Sequence, residues 1–316
     1  MSPETPSDTA AYHAAFPAWS RLTFGSQQMG SSVDRTTEHV RLVRSAMDLA
    51  LPIHTSRCYS DGQALNILKL AFREDPGNVP PVMAKIYCYN ATQIRLDVEE
   101  ILERLKLDRL PIGQLAKNDH RAREIVDDVL AEGPMFEALC ELRDKGLVGH
   151  WTFEVFQKFT PDALKALDND LFDSVGLYFS AVEREADAAT WRRIGDKDLP
   201  VVAIRGLAGG LAVPDNDDSA GKPGKPERYV EQRRRLADLF EQSGCGSWAE
   251  FSIRFLFSIP NVRTTIIGTG KPERLADNKR LCDEATPLPD AIVRDVLARQ
   301  NDWTAGRTFD PQSPWA

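Results

Sequence analysis

Eight short β-rich runs, each separated from the next by a stretch of a length and period suited to a helix, constrain this chain more than any other feature. They are Leu22–Gly25, Pro52–Thr55, Val82–Ile86, Arg109–Leu115, Val148–Phe153, Ser174–Leu177, Val201–Arg205 and Thr264–Ile267. Between them, Val40, Val43, Met47 and Ala50 share one face of a predicted helix. Ile94, Val98, Ile101, Leu102 and Leu105 form the apolar stripe of another. Thr160-Pro161-Asp162 carries a helix-start signal, with a hydroxyl cap followed by proline in the first turn. Strands alternating with helices predict parallel βαβ units joined by right-handed crossovers. Eight such units close most naturally into a (β/α)8 TIM barrel, an α/β fold with its site at the C-terminal ends of the strands. An open doubly wound sheet is the rival. It expects a glycine-rich turn after the first strand, where this chain has Gly25-Ser26-Gln27-Gln28-Met29-Gly30 instead.

At 316 residues the length fits two domains or one barrel with extensions equally well, and either way it is enough to bury a core without disulfides or a structural metal. The predicted organisation is a flexible leader over 1–20 and a single barrel domain over 21–316, with long loops at the C-terminal face. Met1 to Ala15 mixes Pro, Glu, Asp and Ser with no basic start and apolar block, so it does not resemble a secretory signal. Pro214 to Pro226, rich in Asp, Gly, Pro and Lys, predicts a mobile loop beside the site. With 39 Lys+Arg against 47 Asp+Glu the net charge is −8, which disfavours a general nucleic-acid binder. No apolar run approaches the ~20 residues of a membrane helix. The five cysteines are scattered, and no metal-ligand spacing appears. A cytoplasmic protein with reduced thiols, no metal and a small-molecule partner is expected.

The stretch Ile266-Ile267-Gly268-Thr269-Gly270-Lys271-Pro272-Glu273-Arg274-Leu275-Ala276-Asp277-Asn278 carries chemistry of its own. A helix starting near Pro272 directs backbone N–H groups and the positive end of its dipole at whatever precedes it, which suits a phosphate. Arg274 adds a fork able to grip one. Here the chain resembles the aldo-keto reductases, nicotinamide-dependent barrels that reduce aldehydes and ketones, and the likeness runs from about Leu22 to Asp283. The resemblance implies that Thr269, Arg274, Asp277 and Asn278 hold the adenosine 2′-phosphate and adenine of NADP(H), with NAD(H) as the alternative, since Gly268 stands where the family often has a basic residue. It also implies that Gly25, Ser26 and Gln27 approach the nicotinamide ribose. The stretch from Ala203 to Leu211 resembles the loop that closes over the pyrophosphate, with Arg205 and Leu207 as its cofactor contacts. Arg205 replaces the usual serine there and has two candidate partners, a phosphate or a local carboxylate.

The family's catalytic set is an Asp, a Tyr, a Lys and a His, and the resemblance carries over only part of it. Its Asp-Thr-Ala-x-x-Tyr-Gly motif falls on His54-Thr55-Ser56-Arg57-Cys58-Tyr59-Ser60, keeping Tyr59 and replacing the Asp by His54. Lys85 is kept, and Ala116 stands where the His belongs. The Asn and Gln that flank the nicotinamide in the family fall on Val155 and Gly176. Tyr59 therefore stays the candidate proton donor. A phenol of pKa about 10 is a poor acid at neutral pH unless a cation favours phenolate, and Lys85 supplies one, though without its usual carboxylate partner. Losing one oxyanion-type donor costs about 10²–10³ in rate, so Ala116 need not abolish reduction. His54 has three readings: a neutral neighbour of Lys85, an acid/base group titrating near pH 6–7, or a locally bonded core histidine. His120 is read as a loop residue within reach of the site, and His150 is given no role. The departures leave three functions open: a divergent reductase of an unusual carbonyl or alcohol, a non-reductive isomerase, lyase or cyclase, and a catalytically silent nicotinamide-binding protein.

Overall fold

All eight β-rich runs become strands, and a short ninth joins them. The strands are Leu22–Gly25 (β1), Ile53–Ser56 (β2), Val82–Tyr87 (β3), Leu110–Ala116 (β4), Val148–Val155 (β5), Ser174–Ser180 (β6), Glu183–Arg184 (β7), Val201–Ile204 (β8) and Val262–Ile267 (β9). The computed structural model describes residues 19–87, 90–116, 132–155, 160–184, 186, 188–214 and 227–304. His120, most of the predicted leader and residues 215–226 of the predicted loop lie outside the described residues.

Pairing runs β1–β2–β3–β4–β5–β6–β8–β9 and returns to β1, every pair parallel, so the sheet closes into an eight-stranded barrel and excludes the open doubly wound alternative. The two-residue β7 pairs antiparallel with the end of β6, a hairpin the sequence reading did not include. Among the described residues the α-helices are Thr36–Asp48 (α1), Gln63–Glu74 (α2), Ala91–Leu105 (α3), Pro134–Asp144 (α4), Thr160–Asp168 (α5), Ala188–Asp196 (α6), Arg228–Arg235 (α7), Ala237–Ser243 (α8), Trp248–Phe257 (α9), Pro272–Asp283 (α10) and Asp290–Thr304 (α11). Helix α3 buries the predicted stripe of Ile94, Val98, Ile101, Leu102 and Leu105, and the Asn90 side chain caps it by accepting from the Gln93 N–H. No helix of the described residues is long and apolar enough to cross a membrane.

The main core lies between the barrel and its helices. Trp151 on β5 is fully buried there, its indole N–H donating to the Leu139 carbonyl at 3.0 Å. Its ring lies directly over Gly113 of β4, where a Cβ would collide with it. Inside the barrel, a small apolar plug of Met83, Ile112, Val202, Ile204 and Ile266 fills the middle. Below the plug, Trp19 donates to the Thr23 hydroxyl at 2.9 Å, and Thr23 bonds Thr264 at 2.9 Å. Trp19, within the predicted 1–20 leader, also packs against the plug.

Register decides what stands above the plug. Parallel pairing sets Ser56 beside Lys85, Lys85 beside Gln114, and Glu154 beside Gly176. Because strand side chains alternate with period two, His54, Lys85, Gln114, Glu154 and Tyr178 belong to the same inner face as the plug residues.

Candidate functional site

A cavity of about 1520 Å³ opens at the C-terminal ends of the strands. Lys85 and Gln114 line its floor, with His54, Tyr59, Tyr87 and Tyr178, while Thr269, Arg274, Asp277 and Asn278 line its other end along α10. Gly25, Gln27, Arg205 and Leu207 also line it, so every site residue predicted from sequence except Ser26 shares this space. The Ser26 side chain is buried behind the wall, and its backbone N–H donates to the His54 carbonyl at 3.0 Å.

Tyr59 sits on the turn after β2, which returns through left-handed backbone at Ser60 and Asp61 (φ 49° and 53°). The turn brings the Tyr59 hydroxyl to 3.5 Å from His54 Nδ1, the far edge of hydrogen-bond range. His54 is almost wholly buried. Burial first, and the Lys85 charge second, pull its pKa down to about 3, with Gln114 opposing. That shift favours a neutral imidazole in the pH 6–7 range over an acid/base group titrating there.

Lys85 is a cation on the floor, and it has a carboxylate partner. Its Nζ donates to Glu154 Oε1 at 3.0 Å, while Gln114 Nε2 donates to Glu154 Oε2 at 2.5 Å. All three side chains are buried. Burial is the largest single influence and works against the ammonium, but the Glu154 charge, with Tyr178, Tyr59 and Tyr87 adding to it, outweighs burial and holds the Lys85 pKa well above its ordinary value. The expectation that Lys85 lacks a carboxylate partner is thereby corrected: the carboxylate comes from β5 instead of β2. Burial also raises the Tyr59 phenol above its ordinary pKa, with Lys85 pulling the other way. Tyr59 is a neutral hydroxyl near a buried cation, which is the form a proton donor needs.

Sequence reasoning overlooked Glu154 and Tyr178. Glu154 fell inside a motif match that directed attention to its neighbour Val155. The available signal was a lone acid in an otherwise uncharged strand, two positions after Thr152 and so on the same face. Tyr178 lies two positions past Gly176, again on the same face. At Gly176 itself a Cβ would come within 3.3 Å of Ile204 Cδ1, so the plug leaves little room for a larger residue.

Strand β8 ends at Ile204, one residue earlier than predicted, because Arg205 takes a left-handed conformation (φ 62°). Of its two candidate partners, the carboxylate is present: Arg205 Nη1 lies 3.4 Å from Glu183 Oε1 on the β6–β7 hairpin. The Tyr229 hydroxyl donates to the same Glu183 carboxylate, and the Arg205 guanidinium lies 5.3 Å from the Tyr229 ring centre. Burial pushes the Glu183 pKa up, with Arg205 opposing. His150 does not line the cavity; its Nδ1 lies 3.5 Å from Asp173 Oδ2.

The α10 end of the cavity suits an extended anionic ligand. Helix α10 begins at Pro272 with no side-chain cap at its N-cap position, and Thr269, Gly270 and Arg274 beside that end line the cavity. Backbone lines the adjoining wall where β1 meets β9. A Cβ on Gly268 would lie 3.1 Å from the Gly25 carbonyl, and one on Gly25 would lie 3.1 Å from Ile266 Cγ2. Among the described residues no group of His, Cys, Asp and Glu could hold a metal ion.

The family profile of the aldo/keto reductases matches residues 21–297. No curated protein sequence matches the chain. Among solved structures, similarity extends to an aldo-keto reductase from Klebsiella pneumoniae in complex with NADPH (18% identity, 92% of each chain, TM-score 0.65). It extends also to the holo form of an aldo-keto reductase from Bacillus halodurans (18% identity, 88% of this chain and 91% of that one, TM-score 0.69). A third is the glycerol dehydrogenase of Gluconobacter oxydans (19% identity, 93% and 94%, TM-score 0.67). At these identities the structures speak for the fold.

Proposed function

This chain belongs to the aldo/keto reductase family, and on that premise we propose that it is an NADP(H)-dependent oxidoreductase of a small carbonyl or alcohol substrate, with Tyr59 as the proton donor. The observation that carries the reading is one continuous cavity, with a half-buried tyrosine and a buried lysine at its floor and an uncapped helix with Arg274 and Asn278 at its other end. The NADPH-bound Klebsiella relative adds support for the cofactor.

In this reading Arg274, Thr269, Asp277 and Asn278 hold the adenosine 2′-phosphate and adenine, with the first turn of α10 facing phosphate oxygens. Gly25 and Gln27 flank the ribose next to the nicotinamide, with Ser26 bracing them from behind, and Arg205 and Leu207 border the pyrophosphate. When bound, the cofactor supplies a hydride equivalent at the carbonyl carbon. Tyr59 gives its hydroxyl proton to the carbonyl oxygen, leaving a phenolate that solvent reprotonates. Lys85 stabilises that phenolate electrostatically, and a buried cation does so more strongly than an exposed one. Neutral His54 sits at the Tyr59 hydroxyl and orients it without exchanging its own charge.

The test pairs calorimetric NADPH binding with turnover of Tyr59→Phe. NADPH binds both proteins alike, and turnover of a carbonyl panel is abolished in the variant. Absence of NADPH binding by the wild type, or full turnover by Tyr59→Phe, would refute the reading.

A further inference from the structure

We propose that Glu154 is the positioning residue for Lys85, a carboxylate supplied by β5 that keeps the ammonium charged and aimed at the site from a strand other than the one bearing Tyr59. This rests on the reductase reading above and deepens it.

Three observations converge. Lys85 and Glu154 are both buried and meet at 3.0 Å, so each charge would be costly there without the other. Gln114 donates to the second carboxylate oxygen, which leaves Oε1 directed at Lys85 and fixes the rotamer of the acid. The third is what stands at the alternative position. His54, on the same inner face and close enough to feel the Lys85 charge, is neutral and cannot serve as the counter-ion. A carboxylate at both His54 and Glu154 would put two negative charges around one buried cation. A carboxylate at neither would leave that cation unpaired. The acid on β5 and the neutral imidazole on β2 are therefore complementary halves of one arrangement.

The consequence for chemistry runs through Lys85. With Glu154 in place, the ammonium persists at alkaline pH and continues to favour the Tyr59 phenolate left after proton transfer. Without it, the strongest influence opposing burial is gone, the ammonium loses its proton at lower pH, and that stabilisation weakens.

The test is titration of the Lys85 ammonium by 15N NMR in cofactor-free protein, with circular dichroism as the check on folding. The resonance is assigned by its loss in Lys85→Met. In the wild type the ammonium persists to the highest pH at which the protein stays folded. In Glu154→Gln it titrates about one pH unit or more lower, and kcat falls on the order of 10²-fold with KM little changed. Adding His54→Asp to Glu154→Gln returns a carboxylate to the same chamber and recovers both the ammonium and kcat. An unmoved Lys85 titration in folded Glu154→Gln overturns the proposal, as does a folded double variant that recovers neither property. Should Glu154→Gln not fold, the double variant decides the matter. A folded double variant with a charged Lys85 supports the proposal, and one that also fails to fold overturns it, because charge on Lys85 would then not be what Glu154 supplies. The titration needs no cofactor, so its outcome is distinct from failure of NADPH binding, which bears on the reductase reading alone.

Discussion

Acidification should destabilise this barrel through His54. In the folded protein burial holds the imidazole pKa at about 3, against 6.5 when exposed in the unfolded chain. A group whose folded pKa is depressed contributes stability that is fully present above the unfolded pKa and lost as pH falls towards the folded one. The window is therefore from about pH 6.5 down to about pH 3. Each pH unit inside it is worth about 1.4 kcal/mol, so at pH 4 the burial of neutral His54 costs roughly 3 kcal/mol. Every carboxylate that titrates in the same range also contributes, so the quantity to measure is a difference. Urea unfolding of the wild type and of His54→Asn, followed by tryptophan fluorescence at pH 7 and pH 4, isolates it. Between those pH values the wild type should lose roughly 3 kcal/mol more stability than the variant. Equal losses would show that His54 is not held neutral by burial, and the electrostatic account of the chamber floor would fail with it.

Replacing Arg274 by Ala should weaken NADPH by about 10- to 100-fold, the worth of a charge-assisted contact, and leave NADH nearly unchanged in fluorescence titration, since only NADPH carries the 2′-phosphate. Gly113→Ala drives a methyl into the Trp151 ring and should cost about 1–3 kcal/mol in urea unfolding, with wild-type stability counting against that packing. Gln300 on α11 donates to the Ser180 and Ala181 carbonyls at 2.9 Å each. Gln300→Leu should therefore speed amide hydrogen exchange in the β6–β7 hairpin, with a local cost of about 1–3 kcal/mol per buried carbonyl left unpaired.

What the sequence determined by itself is what depends on local order. Short β-rich runs marked all eight barrel strands and the helical period marked the α3 stripe, because local composition and period are properties of contiguous chain. The stretch from Thr269 to Asn278 is local in the same way: a β-strand end, a proline-started helix and an arginine lie within a dozen residues, and the phosphate contact proposed for them needs no distant partner. Tyr59 and Lys85 were found by motif. What tied Lys85 to a carboxylate was not, since Lys85 and Glu154 are far apart in sequence and meet only because β3, β4 and β5 lie side by side in a register that puts both residues on the inner face. Arg205 likewise had two candidate partners on paper, and the hairpin that carries Glu183 to it is a feature of the folded chain. Charge state was the least legible property of all. A histidine and a lysine in sequence carry only their ordinary pKa values, whereas burial inside a closed barrel drives His54 down and an ion pair across two strand steps holds Lys85 up. Those shifts arise from desolvation and from long-range juxtaposition, and both come into being only when the sheet closes.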